Sequence, residues 1–183
     1  MTPTELLAAL HTAEKLKDTT RHCYTSGGRH ESVAEHSWRI ALMAFLLRDA
    51  FPEADMDKVA RMCLIHDLGE CFTGDIPAFD KTAQDESREE QLLDRWVSSL
   101  PSPCREEMRM LYSEMAALET QEAKIYKALD KLEAVISHNE SDISTWEDHE
   151  YDLQLTYGEQ NVAFSPYLSE LRQAIRQETL DKI

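Results

Sequence analysis

The sequence predicts an all-α protein, one domain of about seven helices spanning residues 1–183. Three observations lead there. The 183 residues include only 5 glycines and 6 prolines, too few for the many tight turns of an all-β fold. No segment sustains a period-two alternation of apolar and polar residues. Several stretches instead repeat apolar residues at offsets of three and four, and most of them open on capping sequences.

The elements follow in order. Thr2-Pro3-Thr4-Glu5 is a capping box with proline at the first helical position, and Leu6, Leu7, Leu10 and Ala13 continue at helical spacing. The polar stretch 18–31, with Gly27 and Gly28, reads as a loop. Ser32-Val33-Ala34-Glu35 is a second capping box, opening a helix with Val33, His36, Ile40, Met43 and Leu47 on one stripe and ending near Phe51-Pro52. A third helix starts at Asp55 and carries Val59, Met62, Cys63 and His66, with Gly69 ending it or lying in its last turn. Thr73-Gly74-Asp75-Ile76-Pro77 is a loop. A fourth helix runs from about Ala83 to Leu100, with Leu92, Leu93, Trp96, Val97 and Leu100 inward. Ser102-Pro103 caps a helix bearing Met108, Leu111, Met115 and Leu118. Thr120 opens a long helix to about Asp142, striped by Ile125, Leu129, Leu132 and Ile136, and Ser165-Pro166 starts the last, with Leu168, Leu171 and Ile175.

A net charge of −16 repels nucleic acid and anionic membranes, and no basic patch offsets it. A small anionic substrate stays open, because a metal and one or two basic side chains invert the potential locally. Cys23, Cys63, Cys71 and Cys104 form no CxxC pair and read as buried free thiols of a cytosolic protein. No apolar run reaches membrane-spanning length, and the N-terminus lacks a basic leader. The expected compartment is the cytoplasm.

Four polar residues stand where a solvated charge would be odd. His36 and His66 lie on apolar stripes, Asp67 follows the apolar run Cys63-Leu64-Ile65, and Asp130 sits inside the longest helix between Leu129 and Leu132. A buried carboxylate needs a hydrogen-bonded cation or a metal. Taken singly, His36 is a hydrogen-bonded core histidine and Asp130 a partner of Lys127 or Lys131.

Taken together, His36, then His66-Asp67 thirty residues on, then Asp130 sixty-three further, form an H…HD…D pattern. With Arg21, Glu35-His36-Ser37, His66-Asp67-Leu68-Gly69-Glu70, Thr73-Gly74-Asp75-Ile76-Pro77 and Ala128-Leu129-Asp130-Lys131-Leu132-Glu133, it resembles the HD-domain phosphohydrolases, in their 5′-deoxynucleotidase branch, over roughly residues 16–139. The resemblance implies that His36, His66, Asp67 and Asp130 hold one divalent metal ion (Mn, Co, Mg, Fe or Zn), that Arg21 binds the phosphate, and that Glu70 and Asp75 serve acid–base steps. Two imidazoles with two carboxylates suit such an ion, and the planar fork of Arg21 matches two phosphate oxygens. If the helix continues past Gly69, Glu70 shares a face with Asp67. Left to their local sequence, Glu70 caps a helix and Asp75 makes a turn.

The implied activity is hydrolysis of ribo- or deoxyribonucleoside 5′-monophosphates to nucleoside and phosphate. Homodimers are common in the resembling family, which implies one here. Where bacterial members of that branch carry Trp after the phosphate-binding Arg, this chain has His22, which puts the preference for deoxyribose in question. Two alternatives stand beside this reading: an HD hydrolase of another phosphate ester or a phosphonate, and a non-catalytic HD regulatory protein.

Overall fold

In the computed structural model, which describes residues 1–183, the chain opens on the expected capping box. Thr2 Oγ1 accepts from the Glu5 amide, Glu5 accepts from the Thr2 amide, and α1 (Pro3–Ala13) follows. This helix buries none of its residues, so Leu6, Leu7 and Leu10 face outward.

The stretch 18–31, expected to be a loop, holds a hairpin instead. Strand β1 (Thr20–Tyr24) runs antiparallel to β2 (His30–Ser32), and Gly28 at φ 80° lets the connection turn. The reason for the miss is physical. The inward positions of β1 are charged Arg21 and the single small thiol of Cys23, so no hydrophobic alternation marks the strand.

The core forms where α2 (Val33–Leu46), α3 (Met56–Ile65) and α7 (Gln121–Glu140) pack together. Ile40, Val59, Met62, Ile125, Leu129 and Leu132 are sealed from solvent there. Their starts obey the sequence: Ser32 and Glu35 close a capping box, Asp55 accepts from the Lys58 amide at 2.9 Å, and Thr120 accepts from the Ala123 amide at 3.2 Å. Around them lie α4 (Glu70–Thr73), α5 (Ala83–Ser99), α6 (Cys104–Ala117), α8 (Glu150–Thr156), α9 (Glu159–Val162) and α10 (Pro166–Lys182). Ser102 does not cap α6; Pro103 holds that position without a side-chain bond, since it stands directly before the first helical residue.

The seven longer helices are those expected. The three unforeseen ones, α4, α8 and α9, have 4, 7 and 4 residues, too short to display a helical period. The tail after α7 is firmly tied down. Buried Arg172 of α10 donates to the carbonyls of Tyr157 at 2.9 Å and Gln154 at 2.7 Å, closing the end of α8. All four cysteines are unpaired, and Cys23, Cys63 and Cys71 are buried. No helix is long and apolar enough to cross a membrane.

Candidate active site

His36 lies in the first turn of α2, His66 caps the end of α3, Asp67 follows it, and Asp130 sits midway along α7. The packing of these three helices brings the four side chains together. From His36 Nε2, Asp130 Oδ1 is 3.4 Å away and Asp67 Oδ2 3.9 Å. From His66 Nε2, the same two oxygens lie at 3.8 and 2.9 Å. Donors held about 2.1 Å from one cation and at right angles stand roughly 3 Å apart, so these spacings suit a shared ion.

The second nitrogen of each ring fixes its orientation. His66 Nδ1 donates to the Cys63 carbonyl at 2.9 Å, which leaves Nε2 buried without a hydrogen-bond partner. His36 Nδ1 is bonded to the Glu133 carboxylate, which turns its Nε2 toward Asp130 and Asp67. A buried imidazole lone pair facing carboxylate oxygens needs a proton or a cation between them. This donor set, with two nitrogens and carboxylate oxygens, fits a divalent first-row ion.

Asp130 also has the lysine partners that its place on the helix suggested. Lys127 Nζ is 3.0 Å and Lys131 Nζ 3.5 Å from Oδ2, while both imidazoles face Oδ1. The two readings of Asp130 therefore occupy different oxygens of one carboxylate. Burial opposes its charge, but Lys131, Lys127 and the bond to His36 outweigh burial and hold the carboxyl well below the usual range.

Two buried carboxylates were not assigned from sequence. Glu133 is fully buried; besides His36 it accepts from Arg21 Nη1 at 3.3 Å and Ser137 Oγ at 2.6 Å. Glu31 takes Arg21 Nη1 at 2.7 Å and Cys23 Sγ at 3.2 Å. Burial works against the Arg21 cation, yet Glu133 first and then its other anionic neighbours hold it protonated above its ordinary range. Glu133 left a signal, being a charge on the apolar stripe of α7 three residues beyond Asp130. Glu31, on a short strand, left none.

The helix does not continue through Gly69. It ends at Ile65, and the next turns are 3-10-like, with the Glu70 amide donating to the Asp67 carbonyl at 3.0 Å. Residues i and i+3 eclipse in such a turn, so Glu70 still lies on the side of Asp67. Gly69 makes room for Glu89, since a Cβ there would meet Glu89 Cγ at 2.6 Å and push that side chain aside. Glu70 is buried with Oε2 unpartnered; burial, then the charges of Asp67, Asp75 and Glu89, pushes its carboxyl up to about 10. Asp75, just past Gly74 at φ 78°, is also pushed up by burial, against the pull of Arg21.

A cleft of about 470 Å³ gathers Arg21, His36, Asp67, Glu70, Asp75 and Asp130, while His66 does not line it. Lys81, Lys127 and Lys131 join Arg21 in lining it, so cations stand among the cleft's carboxylates where an anionic group could meet them. Arg29, by contrast, pairs with Glu35 outside the cleft. His138 lines the cleft, whereas Asn139 bonds to the Ile175 carbonyl of α10. On α5, half-buried Glu89 accepts from Lys81 at 2.9 Å.

The HD-domain family model matches residues 13–172, beyond the point where the sequence motifs stop. Human 5′-deoxynucleotidase HDDC2 is 33% identical over 139 residues, covering 74% of this chain and 67% of that protein. A predicted metal-dependent phosphohydrolase of Magnetospirillum magnetotacticum MS-1 superposes with a TM-score of 0.81 at 32% identity, covering 98% of this chain and 95% of that one. The HD phosphohydrolase DatZ of cyanophage S-2L, bound to dA and one catalytic Zn²⁺, has a TM-score of 0.62 over 94% of this chain and 96% of its own, and its 22% identity speaks to the fold alone. The chain belongs to the HD-domain family, whose solved and curated members here include metal-dependent phosphohydrolases and 5′-deoxynucleotidases.

Proposed function

We propose that the protein is a metal-dependent phosphohydrolase that converts nucleoside 5′-monophosphates, the deoxy forms foremost, to nucleoside and phosphate. The observation that carries this reading is the buried, unpartnered His66 Nε2 facing the carboxylate oxygens of Asp67 and Asp130, which line a cleft together with Arg21. The naming of several relatives as 5′-deoxynucleotidases supports the substrate class.

His36, His66, Asp67 and Asp130 would hold the ion. When bound, a divalent cation supplies Lewis acidity at the phosphoryl group and makes water a better nucleophile. Arg21 meets Glu31 and Glu133 through Nη1, which leaves Nε and Nη2 available for a two-point contact with phosphate oxygens. Attack of water at phosphorus forms one P–O bond and breaks that to the 5′ oxygen. A carboxylate takes the proton of the water and a protonated carboxyl supplies one to the departing oxygen. Glu70 and Asp75, which line the cleft beside Asp67, are the two carboxyls placed for these roles.

Phosphate release from ribo- and deoxyribonucleoside 5′-monophosphates, on metal-stripped protein resupplied with Mg²⁺, Mn²⁺, Co²⁺ or Zn²⁺, tests this. The expected result is metal-dependent release that favours deoxy substrates and disappears, together with metal binding, in Asp130→Asn. No release from either series with any of these ions would overturn it.

A further inference from the structure

The cleft is longer than a phosphate requires. From Asp130 to His138, both on its wall, α7 advances eight residues, about 12 Å. At the far end Glu150, buried at the start of α8, has Oε1 3.0 Å from His22 Nε2 and Oε2 3.4 Å from His138 Nε2. Its Oε2 also accepts from the Glu147 amide at 2.7 Å. The His138 ring packs on Trp146 with centroids 4.7 Å apart, which accounts for its place in the fold. That packing leaves unexplained why its Nε2 is buried with no hydrogen-bond partner, on a side chain only 9% exposed.

A charged acceptor beside an unpaired imidazole nitrogen is the complement of a hydroxyl, which donates to one and accepts from the other. The rings of His22 and His138 stand 6.4 Å apart and nearly parallel, and these residues do not form a convergent metal-binding group. Phe79, half exposed, sets its ring against the His22 edge at 5.6 Å, an apolar surface fit for a flat base rather than for a charge.

We propose that His138 and Glu150 form a subsite for the 3′-hydroxyl of the nucleoside, with Phe79 flanking the base. The inference rests on the nucleotidase reading and gives that reading a sugar contact. The hydroxyl donates to Glu150 and accepts from His138 Nε2–H. The far end of the cleft thus selects for nucleotides over small phosphate esters, while the chemistry stays at the other end.

The test compares a deoxynucleoside 5′-monophosphate with its 2′,3′-dideoxy analogue on the wild type, Glu150→Gln and His138→Phe, the last keeping a ring against Trp146. The wild type should prefer the hydroxyl-bearing substrate in kcat/KM by roughly 10- to 100-fold. In both variants that ratio should fall toward one while activity on the dideoxy substrate persists. Calorimetric titration of the metal-free protein with the deoxynucleoside alone, against the dideoxynucleoside, should show the same preference and its loss. Equal rates on both substrates in the wild type, or variants that slow both equally, would overturn the subsite and leave the nucleotidase standing. Absence of phosphate release from every nucleotide would remove both.

Discussion

Replacing Glu133 with Gln removes one charge while preserving shape, and the surroundings set the size of the effect. The carboxylate is fully buried, serves His36 Nδ1, and accepts from Arg21 at 3.3 Å and Ser137 at 2.6 Å. Burial alone would raise its pKa, but the bond and charge of His36, then Arg21, then Ser137, bring it down from 4.5 to about 2. A depressed carboxyl stabilises the fold fully above its unfolded value, and the contribution fades as pH falls through the folded value. At pH 7 it is wholly present and on the order of 3 kcal/mol. Gln still offers an oxygen to the imidazole, so the expected loss is between about 1 and 3 kcal/mol. Urea unfolding of the metal-free proteins at pH 7 measures it. Because Glu133 orients one proposed ligand and anchors Arg21, Mn²⁺ affinity measured by calorimetry should also fall roughly 10- to 100-fold. A variant that unfolds with the wild type and binds Mn²⁺ equally well would refute the view that Glu133 joins the two halves of the site.

Two further outcomes follow from other contacts. Gly69→Ala should cost about 1–3 kcal/mol in thermal or urea unfolding, because its Cβ would lie 2.6 Å from Glu89 Cγ; adding Glu89→Ala should recover most of the loss, and simple additivity would reject the clash. Glu35, lowered to about 2 chiefly by its bond to Arg29, closes a capping box on a partly exposed surface. Glu35→Gln should therefore cost less than about 1 kcal/mol at pH 7, and the gap to wild type should shrink as pH falls from 4.5 toward 2; a gap unchanged at the acid end would count against the ion pair.

The residues most legible in the sequence were polar ones in apolar company. His36, His66 and Asp130 stood out because helical periodicity left them facing a core that has no use for a lone charge. The hairpin was illegible for the converse reason: its inward positions are Arg21 and Cys23, and a strand that turns a charge and one small thiol inward looks like a loop. Glu133 was visible as a misplaced charge, but its task appears only when His36, ninety-seven residues earlier, is seen bonded to it. Glu150 lies on a helix of 7 residues, so no periodicity pointed to it. The leucines of α1 show the limit of such patterns, since the same spacing that marks a buried stripe elsewhere ends in solvent here.

The tie between α10 and α8 has a consequence for how the molecule can change. The reactive end of the cleft is furnished by α2, α3 and α7, but its opposite wall comes from residues 150–157, latched through Arg172 onto the backbone of α8. Arg172 grips carbonyl oxygens, not side chains, so the side chains of α8 can be exchanged without unfastening the latch. Of the proposed sugar subsite, Glu150 is thus held by that backbone latch, whereas His138 rides on α7, the helix that also carries Asp130.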